Sequence, residues 1–559
     1  MASKDVKVVK NNFDVWDAVH CGKSICGKYP FSTSVGAASA TSCFVSGVIL
    51  GLLQFVFAIL YAQMLWDQIA RTAVPMGVGM MTMSTGIGAF FFSHFSGYKV
   101  IGGPDINPVI FVSEAAVAIV KEICPGGTAT QRATAAASAA AGSAAGRRLA
   151  GSGSDSSVSL TCENEDMVIP TVLVATAIAT LIMGTTFTLV GKLRITELIG
   201  YLPANVVSGF MSCIGYKVFV RSIEIACPVG KPLKWVTYGY KYFHSWYEHW
   251  MFIVPMVPIG WGLFYLKRAH PVPKWMGPVT AMNNPTVFYP VLIIVPTIIF
   301  YIVIYGQGYD LDDARTMGWM FKKAETNQFW NQWVHLYGGM AQGKVAWGSL
   351  SAAIPSWIVM IVICTLDDML KLASTEAKLQ LDYDYNHEII VGGVATYTSA
   401  VLAGITVYSQ TKFNVLNFGI VKSTTEMMSG VVCSIFHFIL FLSGFPLINY
   451  IPRLVLAGLL FQSAIDFLVE HLYDSYKKYN KLNFAAVWIM WITNVLAGEV
   501  LPAYGLLIAF AVGVLSGTII FVVEFVNKTS GKSNAIAKLI SGDKTCSTAI
   551  LTLMTSDCH

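Results

Sequence analysis

Apolar residues run along this chain in long blocks separated by short polar stretches. They show neither the strict alternation of strands nor the narrow stripe of a surface helix. A continuous apolar run of about 20 residues is what a helix needs to cross a bilayer. Such runs are read at roughly 36–65, 74–96, 104–121, 168–190, 203–224, 247–267, 284–305, 349–371, 388–406, 411–422, 426–446, 450–470, 483–499 and 502–526. The pattern predicts an all-α polytopic membrane protein with 14 transmembrane segments. Two runs, beginning near Pro104 and Thr411, are short or interrupted.

Those two interruptions sit at matched places. In the first half a long apolar run and a second one precede a polar break at Gly102–Pro108, within "VIGGPDINPVIF". In the second half the same order ends in "YSQTKFN", Tyr408–Asn414. Broken helices at equivalent positions mark an internal repeat, and seven runs per half force the halves to insert with opposite orientation. The expected organisation is a cytosolic segment 1–33, a first repeat 34–305 containing a low-complexity loop 122–167, a second repeat 349–526, and a cytosolic tail 527–559.

A helix that starts at membrane depth survives only where its free N–H groups face protein or a polar cavity. Asn107 with Pro108 reads as an N-cap and N1 pair, and Thr411 or Asn414 can cap the second break. Each helix start carries roughly half a positive charge, so two aimed at one point make an anion cradle, to which Lys412 adds a full charge. Gln54 and Phe55, midway along the first run, are placed to line it. The candidate substrate residues are Gln54, Phe55, Asp105, Ile106, Asn107, Thr411, Lys412, Phe413 and Asn414.

The acidic residues complicate that picture. Asp105 stands beside the cradle and, ionised, would repel an anion. Asp367 and Asp368 follow an apolar run, and intramembrane carboxylates are functional candidates. Adjacent helical residues point about 100° apart, so one of the two is expected to line the cavity. Their expected role is to carry a coupling ion, H+ or Na+. The bland alternative is a solvated helix end, since Lys371 and Lys378 follow closely.

Composition narrows the class further. Hydrophobic residues make up 55% and charged residues 12% of the 559, against about 25% charged in soluble proteins. The net charge of +5 is spread over many loops and implies no nucleic-acid partner. Lys and Arg are more numerous in the loops that would be inside if the N-terminus is cytosolic, so both termini are expected in the cytosol. The first thirty residues are polar, with Lys4, Lys7 and Lys10, and do not read as a signal peptide. The 11 cysteines show no metal-ligand spacing, but Cys124 and Cys162 flank one loop and would pair if it faces an oxidising compartment. "GYDLDDARTMG" lacks the glycine and glutamate of a calcium loop. His244, Glu248 and His249 read as an interfacial aromatic belt, and the aromatics within 306–348 as an interfacial segment. No nucleophile–base pair, metal cluster or phosphate loop points to an enzyme.

The chain also resembles the sulfate permease family of anion transporters and exchangers. "GKLRITELIGYLPANVVSGFMSCIGYKV" is similar to its segment between helices four and five, through Pro203, Val206, Gly209 and Phe210. "NHEIIVGG" matches its N-R-E signature at Asn386, Glu388 and Gly393, and "GGPDINP" the GPD-x-N form of its fungal and microbial branch. "SQTK" stands in place of its S-x-S-R, so Thr411 and Lys412 occupy the positions of a substrate-contacting serine and an arginine. Asp367–Asp368 replace its usual Glu-Ser, and the residues after the last run are too few for the STAS domain that members commonly carry. The resemblance implies a 7+7 inverted repeat with core and gate domains, and a homodimer in a lipid bilayer.

The reading that results is a secondary transporter or exchanger of small inorganic anions such as sulfate or bicarbonate, coupled to protons or sodium, in a plasma or vacuolar membrane. No cofactor beyond the coupling ion is expected. An alternative keeps the fold and gives Asp105, Asp367 and Asp368 a cationic substrate such as a basic amino acid. A third is an anion-gated channel or motor.

Overall fold

A computed structural model describes residues 37–67, 69–125, 162, 164–196, 204–227, 250–262, 264, 285–321, 323, 328–379, 384–423, 425–444, 447–500 and 504–529. Most of them are helical. The first half holds α1 (Ala37–Trp66), α2 (Val74–Phe95), α3 (Ile106–Ile123), α4 (Val168–Lys192), α5 (Ala204–Ala226), α6 (Trp250–Gly262) and α7 (Pro285–Gly306). The second holds α8 (Ile354–Leu379), α9 (Tyr385–Val401), α10 (Thr411–Val421), α11 (Met428–Ser443), α12 (Arg453–Leu468), α13 (Lys481–Val500) and α14 (Gly505–Thr529). Two short strands, β1 (Gly102–Gly103) and β2 (Tyr408–Ser409), precede α3 and α10.

Among the described residues, 7 helical stretches are long and apolar enough to cross a membrane. One of them, α14, exposes Leu515 and Ile519 in a lipid-suited stripe, and so does the shorter apolar stretch of α7 with Ile294, Ile298 and Ile302. α10 has 11 residues, about 16 Å at 1.5 Å per residue, half of a hydrocarbon core of ~30 Å.

The helices form two compact units, one from Met1–Thr196 and His270–Pro452, the other from Glu197–Ala269 and Arg453–His559. Each takes chain from both halves. In the first, α9 lies along α4, and α11 packs on both α1 and α2. In the second, α5 packs on α12 and α13, and α13 on α14. Val206 and Phe210 of the family-like segment are buried there, with the Phe210 and Phe510 rings 5.8 Å apart.

The connection before α8 is tied down locally. Asp310 and Asp313 form a capping box on the short helix Leu311–Thr316, which is how that acidic run is used. Gln332 Nε2 and Trp333 Nε1 donate to the carbonyl of Leu402 at 2.8 and 3.0 Å, and the Tyr337 hydroxyl donates to that of Val401. These side chains satisfy the terminal carbonyls of α9, which no intrahelical N–H can reach.

Candidate functional site

The two polar breaks meet. β1 and β2 pair antiparallel, Gly102 opposite Ser409 and Gly103 opposite Tyr408, so the strands that open α3 and α10 share one ladder. Close approach explains the glycines. A Cβ on Gly102 would enter the ring of Phe92, and one on Gly88 of α2 would lie 2.8 Å from the backbone of Gly102 and Gly103. Side chains reinforce the join. Gln410 Nε2 donates to the carbonyls of Gly103 and Pro104 at 3.1 and 3.2 Å. Asn414 Oδ1 accepts from the Ile101 N–H at 2.6 Å, while its Nδ2 donates to Ser409 Oγ at 2.9 Å.

The caps differ from those expected. α3 begins two residues earlier, with Asp105 as N-cap accepting the Ile106 N–H at 2.6 Å. Asn107 and Pro108 therefore lie in its first turn, where a proline still costs nothing because that N–H has no intrahelical partner. α10 begins at Thr411 with Gln410 as N-cap, and no side chain caps it. Thr411 and Asn414 are spent elsewhere: Thr411 Oγ1 donates to the carbonyl of Lys371 at 2.9 Å and accepts from Thr375 at 3.0 Å.

Charge gathers at the join. Lys371 of α8 forms ion pairs with Asp105 and, at 2.8 Å, with Asp367 Oδ2. The same Asp367 oxygen accepts the Tyr408 hydroxyl at 2.6 Å, and Asn107 is a further hydrogen-bond partner. The Lys371 ammonium also lies 4.7 Å from the centre of the Tyr408 ring. Asp367 and Asp368 are both 1% exposed, so neither reaches solvent as a helix end would. They meet different surroundings, as their angular separation requires: Asp367 faces the join, whereas Asp368 Oδ2 lies against Gly392 of α9.

The other candidate residues divide. Gln54 is buried and structural in its contacts, with Nε2 3.4 Å from the Gly102 carbonyl and Oε1 accepting from Cys433 at 3.1 Å. Phe55 and Ile106 are buried. Phe413 turns to α1, its ring 6.0 Å from that of Phe57. Lys412 is exposed. The structure thus brings Asp105, Asn107, Thr411, Asn414 and Asp367 to one centre with Gln54 beside it. Lys371 and Tyr408, absent from the expected set, are central to it. Lys371 had a readable signal, since it stands four residues after Asp367 and such helical pairs face each other.

Two further features fix the helices that carry this centre. Glu388 fastens the start of α9 to the end of α2, accepting from Ser96 Oγ at 2.6 Å and the Gly97 N–H at 2.7 Å. Cys124 and Cys162 form a disulfide across the loop between α3 and α4. His244, Glu248 and His249, and most of the segments 1–33, 122–167 and 527–559, lie outside the described residues.

Comparison with known proteins accords with this geometry. The profile of the sulfate permease family matches residues 41–493. A solved structure, the transmembrane domain of a cyanobacterium bicarbonate transporter BicA, superposes with a TM-score of 0.52 at 14% identity, covering 86% of this chain and 97% of that one. The murine anion transporter Slc26a9, in the inward-facing state, gives 0.53 at 14% identity over 87% of this chain and 69% of its own. At such identity the likeness shows the fold. A curated relative, the vacuolar basic amino acid transporter VSB1 of Saccharomyces cerevisiae, is 23% identical over 372 residues, 65% of this chain and 32% of its own length. The chain therefore spans about a third of that relative. With the profile covering most of its length and the two broken-helix starts paired, this multi-pass membrane protein belongs to the sulfate permease family, whose members are transporters rather than enzymes.

Proposed function

We propose that the chain is a secondary active transporter of a small basic solute, of the basic amino acid class, working by alternating access with H+ or Na+ as coupling ion. The observation that carries this reading is the charge balance at the join. Two buried carboxylates, Asp105 and Asp367, face one ammonium, Lys371, and a third, Asp368, lies buried on the adjacent face of α8. Asp105 also caps α3, so the positive helix start that would cradle an anion is already answered by the chain's own carboxylate. An ammonium or guanidinium entering this centre finds acceptors, and a sulfate finds like charge. The basic amino acid named for the yeast relative supports the same substrate class.

A second reading, transport of a small inorganic anion, is favoured by α10. Its N-terminus has no side-chain cap and exposes Lys412 at the next position but one after Gln410. In either case we read the fold as fourteen spans in a 7+7 inverted repeat. We place both termini in the cytosol, with the disulfide-bearing loop on the oxidising side, and take the assembly to be a homodimer.

Uptake of radiolabelled arginine, sulfate and bicarbonate into proteoliposomes, with a pH or sodium gradient of either sign, tests the proposal. Saturable, gradient-dependent arginine uptake is the expected result. Uptake of sulfate or bicarbonate without arginine would select the second reading.

A further inference from the structure

Lys371 is a costly residue where it stands. A buried ammonium is tolerated only with close counter-charges, and it has two, Asp105 of the α3 cap and Asp367 of its own helix. Those are the carboxylates that a basic substrate would need. The chain therefore holds its own cation in the seat of the cation it is read to carry.

A second seat exists one helical step away. At 100° per residue, Lys371 projects about 40° round α8 from Asp367 and about 60° from Asp368, between the two. Its separations of four and three residues are those at which helical side chains meet. Asp368 is 1% exposed, and its Oδ1 has no hydrogen-bond partner among the described residues. A buried carboxylate oxygen left so is expensive. Among the described residues, the ionisable groups that act on Asp368 are Cys364, Asp367, Glu388 and Tyr408, none of them cationic, and Glu388 is already held by Ser96 and Gly97. Lys371, on a flexible four-carbon stem, is the ammonium one turn away.

We propose that Lys371 is a tethered competitor: it occupies Asp105 and Asp367 in the unloaded site and swings to Asp368 when a basic substrate takes those carboxylates. The inference rests on the basic-solute reading above and adds to it the residue that sets affinity. The Tyr408 ring, 4.7 Å from the ammonium, offers a cation–π surface along that path. Because Lys371 on Asp368 excludes any other cation there, loading the substrate empties Asp368 of whatever coupling ion it carried. One side chain would then link the two occupancies.

Arginine binding to the purified full chain by isothermal titration tests this, with arginine and sulfate uptake in proteoliposomes run alongside. Lys371→Gln should bind arginine at least about tenfold more tightly, because a competing state is removed. Asp368→Asn should bind it at least about tenfold more weakly, because the displaced ammonium has no second seat. In the Lys371→Gln background, Asp368→Asn should change nothing further. Weaker binding by Lys371→Gln, or additive effects of the two substitutions, would overturn the proposal. Should Lys371→Gln fail to fold, Asp368→Asn remains decisive, since it leaves no new charge unpaired; unchanged affinity in that variant also overturns it. Saturable arginine uptake by the wild type with binding lost in Lys371→Gln would sink the switch alone. Sulfate uptake without arginine uptake would sink the reading beneath it as well.

Discussion

Asp105 grips Lys371 with one carboxylate oxygen and caps helix α3 with the other. A residue of the first polar break is thereby locked to α8 in the second half of the chain, and the cap that starts α3 is also a counter-charge. The consequences of that double use can be separated by mutation.

Asp105→Asn keeps the cap, because asparagine and aspartate rank together as N-caps, but it removes the charge that faces Lys371. Arginine uptake should fall by at least about tenfold, in line with the cost of truncating a buried charge pair, and thermal stability should fall too, because Lys371 keeps only Asp367 as counter-charge. Asp105→Ala should lose the same activity and about 1 kcal/mol of stability besides. Wild-type uptake in Asp105→Asn would remove this carboxylate from the site.

Lys412 is exposed on the first turn of α10. Lys412→Gln should therefore preserve or raise arginine uptake, since it deletes a like charge near the path of a cation. An anion carrier would respond in the opposite way, with a strong loss of sulfate or bicarbonate uptake. The sign of the change in a single transport assay decides between them.

Packing at the join should be intolerant of added volume. Gly88→Ala places a methyl 2.8 Å from the backbone of Gly102 and Gly103 and should cost about 1–3 kcal/mol, as overpacking does. Gly419→Ala is the control, because a Cβ there meets nothing within 4 Å. Thermal unfolding in detergent should show a lowered midpoint for the first and none for the second.

The disulfide between Cys124 and Cys162 closes a loop of sequence separation 38. With a protease site inserted between these cysteines, the cut chain should run as one band without reductant and as two with it. Two bands under both conditions would show that the bridge is not formed in the membrane.

Much of this architecture was legible. Long apolar runs mark the helices because a bilayer-spanning helix has no other way to satisfy its backbone. The clustered Gly, Pro and polar residues marked both breaks. What could not be read was which chemistry each break used. "PDINP" offers two good caps, Asp105 and Asn107, and local sequence does not choose between them; the Lys371 ammonium, brought by α8, holds Asp105 in place as the cap. Likewise Asp367, Asp368 and Lys371 looked the same whether they met solvent or each other. Their burial is set by α3, α4 and α10 packing against α8, contacts between segments remote in sequence. Thr411, expected as a cap or ligand, instead ties α10 to α8.

The central claim is that the carboxylate-rich join takes a cation. Thermal unfolding of the purified protein in the presence of arginine or of sulfate at matched ionic strength measures it most directly. A ligand that binds only the folded state raises the midpoint in proportion to its occupancy, by about 2.7 kcal/mol at a hundredfold excess over its dissociation constant. Arginine should raise the midpoint in a saturable way and sulfate should not, and Asp105→Asn should abolish the arginine effect. Stabilisation by sulfate with none by arginine would contradict the account.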